Sequence, residues 1–105
     1  MPGLWSDGEL DALIEEIVVD AYNDDEKLSS FECAFDESGL PAAAVAFGMA
    51  VALMKVFSGG ERVGLEADVL VEGRTRRIRL LDIEITESDH DAVRVLAAFR
   101  RMWVP

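Results

Sequence analysis

The sequence predicts an α+β fold: an N-terminal helical pair, a small antiparallel sheet, open or barrel-like, and a C-terminal helix. Three observations lead there. Apolar residues recur at helical spacing as far as residue 40, the period changes to two from Arg62, and helical spacing returns after Ser88. The 105 residues suit one domain, 1–105. Within it, 1–40 form an acidic helical pair, 41–86 antiparallel strands and 88–103 the last helix.

Ser6-Asp7-Gly8-Glu9 is a capping-box pattern, and Leu10, Leu13, Ile14, Ile17, Val18 and Ala21 follow on one stripe. Helix one is therefore expected from about Asp7 to Tyr22. Asn23-Asp24-Asp25-Glu26 repeats the capping logic. Leu28, Phe31 and Phe35 supply the buried face of helix two, with Cys33 or Ala34 beside it, and Gly39 and Pro41 stop it. Ala42 to Met54 is an unbroken run of 13 small or apolar residues. It falls short of the roughly 20 that a membrane span needs. A buried helix and a buried strand kinked at Gly48 both fit it. Ser58-Gly59-Gly60-Glu61 reads as a turn. Val63, Leu65, Ala67, Val69 and Val71 then alternate with polar residues, and Glu72-Gly73 reads as a two-residue hairpin loop. That loop sets Asp68 opposite Arg77, Glu66 opposite Arg79, Ala67 opposite Ile78 and Leu65 opposite Leu80. Alternation slips by one at Leu80-Leu81, as a bulge would cause. Ser88-Asp89-His90-Asp91 opens the last helix, whose stripe is Ala92, Leu96, Phe99 and Trp103.

Formal net charge is −11, from 21 acids against 10 Lys plus Arg. Residues 1–45 hold 12 acids and one base, Lys27, whereas residues 46–105 hold nine of each. Such a chain repels phosphate, which excludes nucleic acid and an anionic membrane surface as partners. The arginines of 74–79 read as hairpin partners of Glu66 and Asp68. The single Cys33 permits no internal disulfide and suits a reducing, cytoplasmic compartment. The stretch from Met1 to Asp7 has neither the basic nor the apolar region of a signal peptide.

Catalysis finds little support. One histidine, His90, lies in a helix start between Asp89 and Asp91, and Cys33 lies on a core helix. Two N/S ligands fall short of a zinc site. Carboxylates remain. Asp24, Asp25 and Glu26 suit a helix N-terminus, but Asp36 and Glu37 fall in the last turn of helix two. Asp20 occupies the matching position in helix one. An acid beside free carbonyl oxygens is unfavourable, and a divalent cation reverses the sign of that interaction. Calcium takes such oxygen ligands, although the EF-hand spacing is missing.

Several segments carry a family resemblance. Leu4-Trp5-Ser6-Asp7-Gly8-Glu9-Leu10, Ile14-Glu15-Glu16 and Val19-Asp20-Ala21-Tyr22 begin it, followed by Asp25-Glu26-Lys27, Phe31, Asp36-Glu37 ahead of Pro41, and Gly48 with Val51. Arg62-Val63-Gly64-Leu65, Leu80-Leu81-Asp82-Ile83-Glu84 and Phe99-Arg100-Arg101 complete it. Together they resemble the small acidic bacterial calcium-binding proteins of the CcbP type. The resemblance implies a cytosolic protein that buffers or senses Ca²⁺ without catalysis. It also implies that 43–57 is a strand kinked at Gly48, and that Asp24, Asp25, Glu26, Asp36 and Glu37 belong to the binding segments. The chain departs from the family at Met49 and Ala50, where an acid and a proline are usual, and at Ala42, where an aromatic is usual. The expected ligands of Ca²⁺ are thus Asp20, Asp24, Asp25, Glu26, Asp36 and Glu37. The alternative is an acidic interaction module that binds a basic protein partner without metal.

Overall fold

A five-stranded antiparallel sheet in the order β4-β3-β2-β1-β5 carries helices against one face. The computed structural model describes residues 5–60 and 62–103. The elements in chain order are α1 (Asp7–Ile17), α2 (Asp24–Glu37), β1 (Ala42–Ala46), β2 (Met49–Ser58), β3 (Leu65–Val71), β4 (Arg74–Arg79), a 3₁₀ turn (Leu80–Asp82), β5 (Ile83–Ile85) and α3 (Asp91–Met102). The leader argument at Met1–Leu4, the Leu4 of the family resemblance and the turn residue Glu61 lie outside the described residues. The sheet is open, with β4 and β5 as its edges, and is not a barrel.

The capping logic holds at every helix start. Ser6 Oγ accepts from the Glu9 amide at 3.1 Å, and Asn23 Oδ1 accepts from the Glu26 amide at 2.9 Å. Helix one is shorter than its apolar stripe suggested, ending at Ile17 with Val18 as C-cap. Val18 and Val19 are β-branched and weak helix formers, and the Ala21 amide bonds back to the Val18 carbonyl in a turn. Asp20 therefore sits in that turn, three residues beyond the helix.

The apolar run after Pro41 is neither a helix nor one kinked strand. β1 and β2 form a hairpin through Phe47 and Gly48, whose φ values are 51° and 75°. Positive φ at both central positions suits the right-handed twist of a two-residue hairpin. A phenylalanine there is unusual enough to hide the turn from a sequence reading. The Glu72-Gly73 loop, at φ 49° and 80°, has the same geometry and gives the expected register: Glu66↔Arg79, Ala67↔Ile78, Asp68↔Arg77. β4 stops at Arg79, so Leu65 and Leu80 do not pair. In place of a bulge at Leu80-Leu81, the 3₁₀ turn redirects the chain to the far edge, where β5 pairs with β1. The bulge lies instead in β2, between Leu53 and Lys55.

Alternation then settles the core. Ala44, Ala46, Val51, Leu53, Val56, Leu65, Ala67, Val69 and Ile83 face the helices. Leu28, Phe31 and Phe35 of α2 and Val95, Leu96, Ala98 and Phe99 of α3 meet them. Phe31 and Phe99 pack edge to face with centroids 5.3 Å apart, and Trp103 stacks on Phe99 at 5.9 Å. α1 buries no residue fully and rests on α3 through a half-buried stripe. Cys33, two residues from both Phe31 and Phe35, points away from the stripe and is exposed.

Candidate metal centre

Helix α2 places five of the six predicted ligands, and it places them at opposite ends. Asp24, Asp25 and Glu26 form its first turn, whereas Asp36 and Glu37 form its last. Eleven residues from Asp25 to Asp36 span about 16 Å along the axis. Calcium–oxygen distances are about 2.3–2.6 Å, so one ion cannot serve both ends.

At the N-terminal end the acids have other occupations. Glu26 accepts from the Tyr22 amide at 3.2 Å through Oε2, which helps to close the loop into the helix. Asp24 approaches Lys27 at 4.0 Å. Asp24 also shares a cleft of about 520 Å³ with Arg62, Arg79 and Asp82. Two guanidinium groups and the positive end of the helix dipole both oppose a cation there. Asp20, in the turn before the helix, is exposed.

At the C-terminal end the situation is reversed. The last turn of α2 has no basic residue, so Asp36 and Glu37 face the negative end of the dipole without counter-charge from their own helix. The carbonyls are less available than the sequence suggested. Ser38 bonds through its amide to Ala34 and Phe35 at 3.1 Å each and through Oγ to the Phe35 carbonyl at 2.6 Å, and the Gly39 amide reaches Asp36 at 3.4 Å. What remains for an ion is carboxylate, the Glu37 carbonyl and water.

Glu37 does gain a neighbour that the sequence reading passed over. Glu16 of α1 and Glu37 line the same groove between α1 and α2, about 310 Å³ in volume, with Ser30 and Cys33. The adjoining groove adds Asp91 from the start of α3, together with Arg94. Nothing in the residue spacing signals this, because it depends on how α1 lies across α2. The donor chemistry of these groups, hard anionic oxygen, fits Ca²⁺. Their spacing is looser than a preformed cage: among the described residues, no group of three or more His, Cys, Asp and Glu side chains is gathered to hold a metal ion.

His90 is structurally engaged. Its Nδ1 accepts from the Ala92 amide at 3.0 Å as the N-cap of α3, and its Nε2 lies 3.1 Å from the Gly39 carbonyl, to which it donates. Both ring nitrogens are therefore used in joining α3 to the end of α2. No helix among the described residues is long and apolar enough to cross a membrane.

No protein-family model matches the chain, and no curated protein matches it significantly. A solved structure, the crystal structure of Anabaena CcbP, is similar over 93% of this chain and 91% of its own, with a TM-score of 0.72 and 20% sequence identity. The fold is therefore of the CcbP type.

Proposed function

We propose that the protein binds calcium ions through carboxylates of its acidic N-terminal helices, and that it buffers or senses Ca²⁺ rather than catalysing a reaction. The observation that carries this reading is the acid at the C-terminal end of α2: Asp36 and Glu37 lack a basic partner in their own turn and face the negative helix terminus, and Glu37 shares a groove with Glu16. A divalent cation removes that repulsion. The CcbP-type fold and the confinement of the −11 charge to residues 1–45 support it. Asp20, Asp24, Asp25 and Glu26, held apart by the length of α2, would serve a separate and weaker locus. With few carboxylates and much water around each ion, affinity falls in the weak range, about 10⁻⁴–10⁻³ M. Calorimetric titration of chelator-stripped protein with Ca²⁺ tests this. Saturable heat that Asp36→Asn with Glu37→Gln largely removes is expected, and a featureless titration overturns the reading.

A second reading has one observation in its favour. Val19 and Tyr22, 75% and 90% exposed, stand on the loop between α1 and α2 amid Asp20, Asp24 and Asp25. An acidic surface with an exposed aromatic suits a basic protein partner. Monovalent salt weakens that association but leaves a coordinated divalent ion largely in place.

A further inference from the structure

The base-rich counterpart of the acidic helices is the edge of the sheet. β4 is exposed along nearly its whole length and carries arginine at four of its six positions. Only Arg77 is spoken for: it contacts Asp68 at 3.0 Å and covers the Phe57 ring at 4.2 Å. Arg74, Arg76 and Arg79 form no ion pair among the described residues.

Backbone direction adds to this. A two-residue loop closes on a hydrogen-bonded pair, here Val71↔Arg74, and pairs alternate from there. Arg74, Arg76 and Ile78 therefore spend their amides and carbonyls on β3. Thr75 and Arg77 turn theirs to the open side, where no strand lies among the described residues, and Arg79 adds its amide, its carbonyl being used as the N-cap of the 3₁₀ turn. An added strand finds the free amides and carbonyls of Thr75 and Arg77 and the amide of Arg79 there, with arginine side chains on both faces of the edge.

The partner's chemistry can be read from the strand already present. On its occupied side, β4 sets Arg79 opposite Glu66 and Arg77 opposite Asp68. Guanidinium groups fit carboxylates in a forked geometry that lysine lacks. We infer that the open edge of β4 docks an extended acidic peptide, which joins the sheet as a further strand beside Thr75, Arg77 and Arg79. Main-chain bonds supply the affinity, and the arginines select acidic residues at alternate positions. Charged edges also deter stray strands. A purely deterrent edge binds nothing, so the two roles separate by experiment. The inference does not depend on calcium.

The probe is a fluorescein-labelled octapeptide of alternating Glu and Thr, titrated into the full chain with a chelator present and followed by anisotropy. Saturable binding is expected. The same peptide N-methylated at alternate backbone nitrogens is expected to bind about tenfold or more weakly, as lost ladder bonds require. Thr75→Pro, which removes an outward amide and leaves the β3 ladder intact, is expected to weaken binding about tenfold as well. Arg74→Glu with Arg76→Glu and Arg79→Glu should abolish it, with the fold verified by circular dichroism. Absence of saturable binding overturns the inference. So does equal binding of the N-methylated peptide to the unaltered protein, a control that stands even if a variant fails to fold. Equal displacement by single-stranded RNA overturns it too, since that reports charge without strand geometry.

Discussion

The sheet and the helical layer treat charge in opposite ways. In the sheet an acid on β3 meets an arginine on β4, and residues 46–105 balance at nine acids and nine bases. In the N-terminal helical pair and its flanks, residues 1–45, 12 acids share Lys27, and α1 takes its counter-charge from α3. Arg101 of α3 contacts Asp11 at 2.6 Å and Asp7 at 3.3 Å. The two regions differ in burial as well. α2 and α3 close the core over the sheet, whereas α1 lies outside it with no fully buried residue. Where acids are structural, the chain supplies their partners; at Asp36 and Glu37 it leaves them without a base in their own turn.

The largest effects test the burial half of that contrast. Phe31 joins α2 to α3 and is wholly buried, so Phe31→Ala should lower unfolding free energy by about 3–5 kcal/mol in urea. Leu13→Ala on α1, only half-buried, should cost less than about 2 kcal/mol in the same measurement. Equal losses would mean that α1 is as integral as α2. Gly64 comes next. It holds φ +79°, and a Cβ there would lie 2.8 Å from Trp103 Nε1. Gly64→Ala should therefore cost about 1–3 kcal/mol, through backbone strain and displacement of the indole from Phe99. On a Trp5→Phe background, which leaves Trp103 as the single tryptophan, a fall in emission anisotropy alongside the stability loss would locate the damage at Trp103.

The charge half predicts a change of sign. Without calcium, Asp36→Asn with Glu37→Gln removes two acids from a negative helix end and should raise stability by about 0.3–1 kcal/mol per residue. With millimolar Ca²⁺ the unaltered protein should gain melting temperature and the variant should gain little. If the variant is destabilised in chelator, those acids are structural and the contrast between the two regions collapses.

Most of this architecture was legible because it rests on local chemistry. Ser6, Asn23 and the Glu66↔Arg79 to Asp68↔Arg77 register are each settled by residues within 13 positions of one another. What escaped notice depended on weak local signals or on tertiary placement. Phe47 gives no turn signal, so the residues alone fit a buried helix or a kinked strand where the β1–β2 hairpin lies. Val18 and Ala21 carry the apolar stripe onward, while the β-branching of Val18 and Val19 ends α1. Leu80-Leu81 signalled a change of direction that alternation could only represent as a bulge. The candidate ligands illustrate the same limit: Asp36 and Glu37 were found from helix position alone, whereas Glu16 joins Glu37 only through the packing of α1 on α2. Helix length, also a local quantity, already separates Asp24, Asp25 and Glu26 from them.

The smallest effect isolates the borrowed charge of α1. The Arg101 hydrogen bond holds the Asp11 carboxyl below the ordinary 3.8, against the opposing effect of desolvation and with help from the Arg101 charge. A carboxyl lowered on folding favours the native state above its unfolded value, and that advantage disappears as pH falls through the folded value. The contribution is thus complete at neutral pH and fades only below about pH 4. Carboxyl carbon resonances should place the Asp11 midpoint under 3.8, and Arg101→Gln should move it back up. Amide protection factors in α1, corrected for the intrinsic rate at each pH, should fall over the same acid range while the β2–β3 ladder stays protected, because the latch holds an outer helix and not the core. Both partners are exposed, so about 0.5 M salt should shrink the shift. An Asp11 midpoint indifferent to both salt and Arg101→Gln would mean that α1 is held by its apolar stripe alone, leaving the helical layer with no internal answer to its own charge.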